Sequence, residues 1–490
     1  MNSLSLIINP VIITIHMLRG VILFLFGSFF FFCSVQAQYG SFGLTDARQL
    51  ALGNTYASNS RELYAAGKNP SLLAYRVHDR KIDFLFPNLS ARAYNIAKVS
   101  NFLNDFFSQK PLDILIGLDG SVIKRAFEKG GSLYLGLQIG FLAASYTPNE
   151  KIGSFSFAVK DYLTGFLKLP TAITEYHQGE YDFQGIYFNE FAFKSSWTRS
   201  YELTYARMFK MNPSTGIIAI YAGLGLKYIS GYIYSDIQFS GGLGYEDEFG
   251  ILRGSYTALS LAASSDDISI ENAFEGKDVV NNVPFMEPVG KGIGFDVGLT
   301  LLLDPGVKVG ISLTDVGFIN WDGKTKRTQV SGEFFIDSTL TIDDIDSIAD
   351  KIVIEKESDD SFQSSPPAAL HLGFNFMIDR FVKNFPGKMN LAVEIHKGLN
   401  DIVDNPDQPR IAVGLDWQAG QYWPIVLTGI YGNQSGELAW SAGLGYDVKF
   451  MELYFALPDI VPLLEGSPLE TLSLSICWHF VKTERKKKKA

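Results

Sequence analysis

Cysteine and histidine are scarce in this chain, and their scarcity excludes several classes of protein. Only Cys33 and Cys477 occur among the 490 residues, and Cys33 lies in an N-terminal stretch that we expect to be removed. A mature chain with one cysteine has no intrachain disulfide, so a disulfide-stapled scaffold is excluded. The six histidines include no His-Glu-x-x-His pair, so that zinc-enzyme motif is absent.

Long apolar runs are missing beyond the N-terminus, where no stretch approaches the ~18 uncharged residues of a helical membrane span. The one apolar run, 21–32, follows Arg19 and precedes Val-Gln-Ala at 35–37. A basic flank, a short apolar core and small residues at the cut positions are typical of a secretory signal peptide. We predict a signal peptide over 1–37, cleaved after Ala37. An uncleaved anchor and a start at Met17 are the alternatives.

The charge is acidic and segregated along the chain. The formal net charge is −10, and because Arg19 is the only charged residue of 1–37, the mature chain carries −11. The tail 481–490 holds six bases and one acid, so the body before it is more acidic still. An acidic body argues against nucleic acid as a partner. We interpret the basic tail as a solvated periplasmic end, with binding of anionic lipid as the alternative.

The sequence is rich in apolar alternation of period two. Hydrophobic residues make up 47% and charged residues 19% of the chain, which is too apolar for disorder and too charged for a helical membrane bundle. Leu, Ile and Phe residues occupy every second position over 133–141, and the spacing recurs. The further windows are 293–300, 370–379, 391–396, 411–418, 438–450 and 471–480. Such segments between Gly, Pro, Asn and Asp clusters are typical of a transmembrane β-barrel.

A soluble sandwich would alternate in the same way, so periodicity alone does not choose, and the aromatic residues favour the barrel. Trp417, Trp440, Tyr446 and Trp478 stand at the ends of apolar stripes, where a barrel carries its membrane girdle. We therefore predict an all-β fold, a transmembrane antiparallel β-barrel of about 14 strands. The predicted organisation is a compact N-terminal segment at 38–80, a barrel at 81–480 with a long loop insertion at 324–365, and the basic tail.

The polar faces of these strands predict a polar lumen and provide no catalytic site. The predicted lumen-facing residues are Asp296, Glu394, His396, Asp416 and Asp447. Glu394 and His396 could transfer protons as an acid–histidine pair, but no nucleophile can be placed beside them. No Gly-x-Ser-x-Gly elbow is present. We predict that the protein is not an enzyme and holds neither cofactor nor metal.

The N-terminal segment resembles the entry of FadL-type outer-membrane barrels. In that superfamily a leading Gly and a later Asn-Pro-Ala form an N-terminal hatch in the lumen. Gly53 and Asn69-Pro70-Ser71 match this pattern, with Ser71 in place of Ala. The PorV and PorQ barrels of type IX secretion start similarly. Residues of this motif would gate the passage of a ligand.

Later stretches resemble a Bacteroidota family of outer-membrane barrels of unknown function. These stretches are 201–207, 225–228, 292–298 and 314–321. The resemblance implies a barrel of about fourteen strands with a plugged lumen, in the outer membrane of a Gram-negative bacterium. The residues agree with a plug, because Pro70 restricts Asn69 to extended geometry and Gly53 permits a tight turn. An ordinary periplasmic arm is the alternative.

Two functions follow from these resemblances as hypotheses. The first is a FadL-like channel or transporter for hydrophobic small molecules. The alternative is a non-enzymatic, PorV-like binding or scaffold barrel of the type IX secretion and gliding machinery. The expected partners are outer-membrane lipids, with either a hydrophobic ligand or surface-secretion proteins.

Overall fold

The computed structural model covers most of the predicted barrel and N-terminal segment. The described residues are 45–94, 132–168, 186–187, 191–212, 215–245, 252–265, 286–336, 354–400, 402–403, 405, 409–420, 422–431, 438–457, 460 and 471–482. The predicted signal peptide, residues 38–44 and nearly all of the basic tail lie outside them.

Nineteen strands and four short helices occur in the described part of the chain. The strands are β1 (Arg80–Tyr94), β2 (Ser132–Asn149), β3 (Gly153–Lys168), β4 (Ile186–Tyr187), β5 (Phe191–Lys210), β6 (Ile217–Tyr245), β7 (Leu252–Ser264), β8 (Gly290–Leu303), β9 (Val307–Trp321), β10 (Thr325–Ile336), β11 (Ile354–Ser358), β12 (Phe362–Ser364), β13 (Ala369–Met377), β14 (Lys388–Gly398), β15 (Arg410–Gln418), β16 (Pro424–Tyr431), β17 (Leu438–Val448), β18 (Met451–Leu457) and β19 (Thr471–Lys482). Two α-helices, α1 (Ala47–Ala51) and α2 (Ile378–Phe381), and two 3₁₀ helices, Glu62–Ala65 and Pro70–Ala74, complete the elements.

Fourteen of the strands close into an antiparallel barrel. Around the ring the order is β1, β2, β3, β5, β6, β8, β9 and then β13 to β19. The ring closes where β1 pairs with β19, with Arg80 opposite Lys482 and Phe84 opposite Trp478. The all-β barrel of about fourteen strands predicted from the period-two pattern is confirmed.

Further strands extend the wall beyond the ring. The first half of β6 pairs with β8 and its second half pairs with β7, and β7 in turn pairs with β10 along its whole length. The prediction of a loop insertion over 324–365 is therefore wrong for its described parts, which form β10, β11 and β12. The physical reason is that β7 and β10 satisfy each other's backbone groups. Residues 337–353 of the insertion lie outside the described residues.

The outward faces are apolar, as a lipid-facing wall requires. On β8, Ile293, Phe295 and Val297 are 55, 44 and 42% exposed, whereas the intervening Asp296 is 1% exposed. A soluble sandwich would bury the apolar face instead. The exterior is therefore that of a barrel embedded in a bilayer. Within the described residues, we find no helix with the length and hydropathy of a membrane span.

The two ends of the barrel differ in the length of their connections. At one end, which we call the short-turn end, three residues join β2 to β3 and two join β17 to β18. The opposite end, the long-loop end, carries connections such as 95–131 between β1 and β2. Short turns face the periplasm in outer-membrane barrels. On that rule the beginning of β1 and the end of β19 lie on the periplasmic side.

Candidate functional site

Residues 45–79, which we call the plug, lie inside the ring. The helix Pro70–Ala74 contacts β5, β6 and β8, while α1 contacts β16, β17 and β18. These two groups of strands stand on opposite sides of the closed ring, so one short segment touches both walls from within. Nearly all of its residues up to 73 are buried. Movement of this segment as a hatch stays a prediction.

Local capping explains how the plug keeps its shape. Asp46 Oδ1 accepts a hydrogen bond from the backbone N–H of Gln49 at 3.0 Å and so caps α1. Asn69 Oδ1 accepts from the N–H of Ser71 at 3.2 Å, and Pro70 occupies the first helical position, where no N–H is needed. The Asn-Pro-Ser motif is thus a helix start. Its Asn69 is extended, with φ −118° and ψ 94°, as the following proline requires.

The predicted hatch residues Asn69, Pro70 and Ser71 contact the wall at β6 and β8. Asn69 Nδ2 donates to Thr300 Oγ1 at 3.0 Å, and the hydroxyls of Ser71 and Thr300 lie 2.8 Å apart. Two wall glycines permit this contact. A Cβ added at Gly298 would lie 2.0 Å from Asn69 Oδ1, and one at Gly223 would lie 2.4 Å from the carbonyl carbon of Pro70.

Gly53, the remaining predicted hatch residue, turns the chain after α1. It has φ +58°, in the left-handed region that favours glycine. Its carbonyl oxygen accepts a hydrogen bond from Arg410 Nη1 at 2.8 Å. Gly53 thus turns the chain after α1 and holds it against Arg410 of β15.

Three of the five predicted lumen residues bind the plug directly. Asp416 forms a 3.0 Å ion pair with Arg48, Glu394 Oε2 accepts from the backbone N–H of Ala57 at 2.7 Å, and Asp447 Oδ1 lies 3.1 Å from His78 Nε2. These carboxylates stand on β14, β15 and β17. The lumen wall therefore holds the plug through acids on several strands.

The other two predicted lumen residues bond within the wall. Asp296 lies 3.0 Å from Lys227 Nζ, a wall lysine on β6. His396 Nδ1 lies 3.1 Å from His371 Nδ1, and His371 is also 3.2 Å from Glu394. The structure thus places Glu394 and His396 in one cluster and keeps Asp296 apart from them.

The basic residues of the plug and the lumen wall were missed in the sequence. Arg48 and Lys68 of the plug are buried, and Lys160 of the wall forms a 2.8 Å ion pair with Glu202. Charged residues on the polar face of an alternating strand point into the lumen, and this pattern marks them in the sequence. Glu202 and Lys227 lie in 201–207 and 225–228, two of the stretches that carry the family resemblance.

Burial shifts the ionisation of plug residues. Burial lowers the pKa of Lys68 to about 8, although the neighbouring carboxylate of Asp46 opposes the shift. Burial also raises the pKa of Tyr56 well above its ordinary value, and the charge of Glu394 acts in the same direction. The plug therefore holds a lysine that can lose its proton under mildly alkaline conditions.

A cavity of about 210 Å³ opens between the plug and the wall at the short-turn end. Arg61 and His78 of the plug and Asp416 and Asp447 of the wall line it. The cavity therefore forms a polar route from the periplasmic side to Arg61 and His78 of the plug.

Residues 74–456 match the model of a family of unknown function (DUF5723). The chain belongs to this family. No curated protein matches the chain. The match covers the barrel from the end of the plug to β18, and it carries no assigned activity.

Solved barrels resemble the structure at low identity. The monoaromatic hydrocarbon channel CymD is 10% identical with a TM-score of 0.44, and the alignment covers 90% of this chain and 98% of that one. The toluene transporter TodX of P. putida is 10% identical with a TM-score of 0.40, covering 90% and 99%. A Pseudomonas aeruginosa FadL homologue is 12% identical with a TM-score of 0.42, covering 90% and 100%. These likenesses decide neither substrate nor mechanism, and the fold assignment rests on the strand pairing.

Proposed function

We propose that the protein is an outer-membrane transporter for small hydrophobic molecules, in which displacement of the plug opens the lumen. One observation carries the proposal. In the described residues, the backbone–backbone hydrogen bonds of the plug all stay within the plug, and the hydrogen bonds between plug and wall use a side chain on at least one side. The plug is therefore a separate unit that can shift without breaking the barrel sheet.

The chemistry of the interface agrees with a removable plug. Polar groups such as Asn69, Thr300 and Glu394 can be solvated by water when the plug moves. A neutral hydrogen bond then costs only about 1 kcal/mol to exchange, and a bond to a charged group such as Glu394 costs about 1.5–3 kcal/mol. Pulling a strand out of the wall would instead expose a long row of backbone groups in lipid, where each costs several kcal/mol. Movement of the plug is thus the cheaper way to open the barrel.

The substrate class rests on the resemblance of Gly53 and Asn69-Pro70-Ser71 to the hatch of FadL-type barrels. Toluene and a long-chain fatty acid are the first compounds to test. The apolar exterior supports placement in a membrane, and export through a cleaved signal peptide remains part of the proposal.

A disulfide between plug and wall tests the proposal. The Cβ of Ala57 lies 3.0 Å from the position of a Cβ at Gly373, slightly inside the ~3.5–4.5 Å of a disulfide. We expect the Ala57→Cys/Gly373→Cys variant to lose uptake of labelled toluene or fatty acid when oxidised and to regain it with reductant. The single-cysteine variants serve as controls, and Cys477 is buried. Uptake at the wild-type rate by the oxidised, cross-linked variant would exclude the moving plug.

The strand extension favours a second candidate function, a non-enzymatic scaffold that binds surface proteins. Strands β7, β10 and β11 continue the wall beyond the ring at the long-loop end, and Lys326 and Glu357 are exposed there. If this surface binds a partner, deleting residues 325–358 should abolish a defined cross-linked complex and leave uptake unchanged. An unaltered set of complexes in the deletion variant would remove this candidate.

A further inference from the structure

Two plug residues and two wall residues converge at the short-turn end of the lumen. His78 Nδ1 lies 2.8 Å from Glu62 Oε2 and 3.2 Å from Glu452 Oε1. Glu452 Oε1 in turn lies 3.2 Å from Nε2 of His479 on β19. One ligand atom from each of the four residues lies within 4.8 Å of the other three. We propose that Glu62, His78, Glu452 and His479 bind one divalent transition-metal ion of the zinc class.

The donor set and its spacing fit zinc. Imidazole nitrogen and carboxylate oxygen are both ordinary zinc ligands, and structural sites are four-coordinate and tetrahedral. In a tetrahedron with metal–ligand bonds of ~2.0 Å, neighbouring donors stand about 3.3 Å apart. The separations of 2.8 and 3.2 Å need only a small widening to admit the ion, and donor pairs that stand as far as 4.8 Å apart have to close around it.

The second polar atom of each histidine is already held by a carboxylate. His78 Nε2 lies 3.1 Å from Asp447 Oδ1, and His479 Nδ1 lies 2.8 Å from Asp83 Oδ1. Such a carboxylate fixes the tautomer and ring orientation of a histidine that binds a metal. The nitrogens that remain, His78 Nδ1 and His479 Nε2, are the two that converge.

The glutamates are oriented in the same manner. The Oε1 atom of Glu62 accepts hydrogen bonds from the backbone N–H groups of Val77 and His78, at 2.9 and 2.8 Å. Arg61 Nη2 donates to Oε2 of Glu452 at 2.8 Å. The other oxygen of each glutamate points toward the histidine nitrogens. The two glutamates are thus oriented by contacts outside the proposed ion site, whereas the stacked rings of His78 and His479 have to tilt for both nitrogens to face one ion.

The local charge also favours a cation at this cluster. The carboxylates of Glu62, Asp83, Asp447 and Glu452 carry four negative charges, and the guanidinium groups of Arg61 and Arg76 carry two positive ones. With neutral histidines the cluster is therefore left at −2. One divalent ion neutralises it. Two imidazolium rings would serve the same purpose only while stacked with their centroids 4.1 Å apart.

The cavity described above gives an ion access to this cluster, because His78 and Asp447 line it. The ion would join the end of the plug to the last two strands of the barrel. This assignment differs from the absence of a metal predicted from the sequence. Residues 62, 78, 452 and 479 form no spacing motif, so only the fold brings them together.

A second histidine cluster supplies a matched control. His371, Glu394 and His396 are also buried, but they offer one carboxylate, and among the described residues only the Glu62 cluster has the arrangement of a metal site. The variants to compare are His78→Asn and His479→Asn, with His396→Asn as the control. Heat-modifiable mobility on gels shows whether each barrel is folded.

The full mature protein in detergent is stripped with EDTA, incubated with zinc chloride, passed through a desalting column and analysed for metal. We expect about one Zn²⁺ per chain for the wild type and for His396→Asn, and a large loss for the two ligand variants. A folded wild type that leaves the column free of zinc overturns the assignment and indicates a doubly protonated histidine pair. Equal zinc in the ligand variants overturns it as well.

If the ligand variants do not fold, substitution with Co²⁺ tests the proposed site in the wild-type protein. The wild type loaded with Co²⁺ should show the intense visible absorption of a tetrahedral ion, which zinc displaces. The weak spectrum of octahedral Co²⁺, or no bound cobalt, contradicts the proposed site.

Discussion

Wall glycines determine where the plug can touch the barrel. On β8 the inward face carries Gly298, and the contact with Asn69 depends on the missing side chain. In the sequence such glycines are simply the small residues of a polar face. The structure shows that they also make room for the backbone of a second element, which explains their place beside Asp296 and Thr300.

Substitution of Gly298 by alanine is expected to loosen the plug. The added methyl would lie 2.0 Å from Asn69 Oδ1, so the Asn69–Ser71 turn must withdraw from β8. We expect faster hydrogen exchange in residues 45–79 and an unchanged barrel. Gly294→Ala is the control on the same strand, because its methyl would meet nothing closer than 3.7 Å. Equal exchange in the two variants would contradict the close contact.

Loss of Arg48 should destabilise the protein strongly. The variant Arg48→Met leaves the buried carboxylate of Asp416 without its ion-pair partner, and breaking a buried pair on one side costs about 3–5 kcal/mol. Lys210→Met breaks an exposed pair with Glu150, for which we expect less than about 1 kcal/mol. Urea unfolding of both variants measures the two costs, and similar midpoints would show that the Arg48 pair is solvated.

Lys68 should make stability increase with pH. Its pKa in the folded protein is about 8, below the ~10.4 of an unfolded lysine. Between about pH 8 and 10 the folded state therefore binds fewer protons, and the free energy of unfolding rises with pH. We expect the difference in Tm between wild type and Lys68→Met to shift in favour of the wild type over this interval. A constant difference would mean that Lys68 has an ordinary pKa.

At the scale of elements, the strands could be predicted and the contacts of the plug could not. Alternation of period two depends only on neighbouring residues, so windows such as 293–300 and 370–379 indicate strands and their apolar faces directly. The ion pair of Arg48 with Asp416 joins residues 368 positions apart, and no local pattern marks it. For the same reason, no local pattern marks the cluster of Glu62, His78, Glu452 and His479.

The extension of the wall by β7 and β10 is another feature that the sequence did not predict. The stretch after β9 lacks a clean apolar stripe, which predicts a loop. Its described part pairs with β7 outside the ring, where neither face has to be apolar. The signal peptide, the Bacteroidota origin, the likeness to PorV, the partners and the absence of enzymatic activity remain predictions.

Deletion of the plug should convert the barrel into an open pore. Eight-stranded barrels are filled by their own side chains, whereas wider rings leave a channel, and here the plug occupies that space. We expect a variant lacking residues 38–75 to give large steady conductance steps in planar bilayers and the wild type to give few. A silent, folded deletion variant would mean that wall side chains fill the lumen by themselves.

At the scale of the whole molecule, the orientation in the membrane can be tested with single cysteines. Lys326→Cys lies at the long-loop end and Lys151→Cys lies in the turn between β2 and β3. We expect an impermeant maleimide to label the first in intact cells and the second only after the outer membrane is opened. The reverse labelling pattern would invert the assignment of the two ends.

Asp83 connects three parts of the molecule that the chain makes at different times. It stands on the first strand of the barrel, and its carboxylate binds Arg76 from the plug and His479 from the last strand. Closure of the seam between β1 and β19 and docking of the plug therefore share one anchor. A barrel inserted with its plug undocked would keep its paired seam but leave the Asp83 carboxylate without the guanidinium of Arg76, so a single buried charge registers whether the first residues are enclosed.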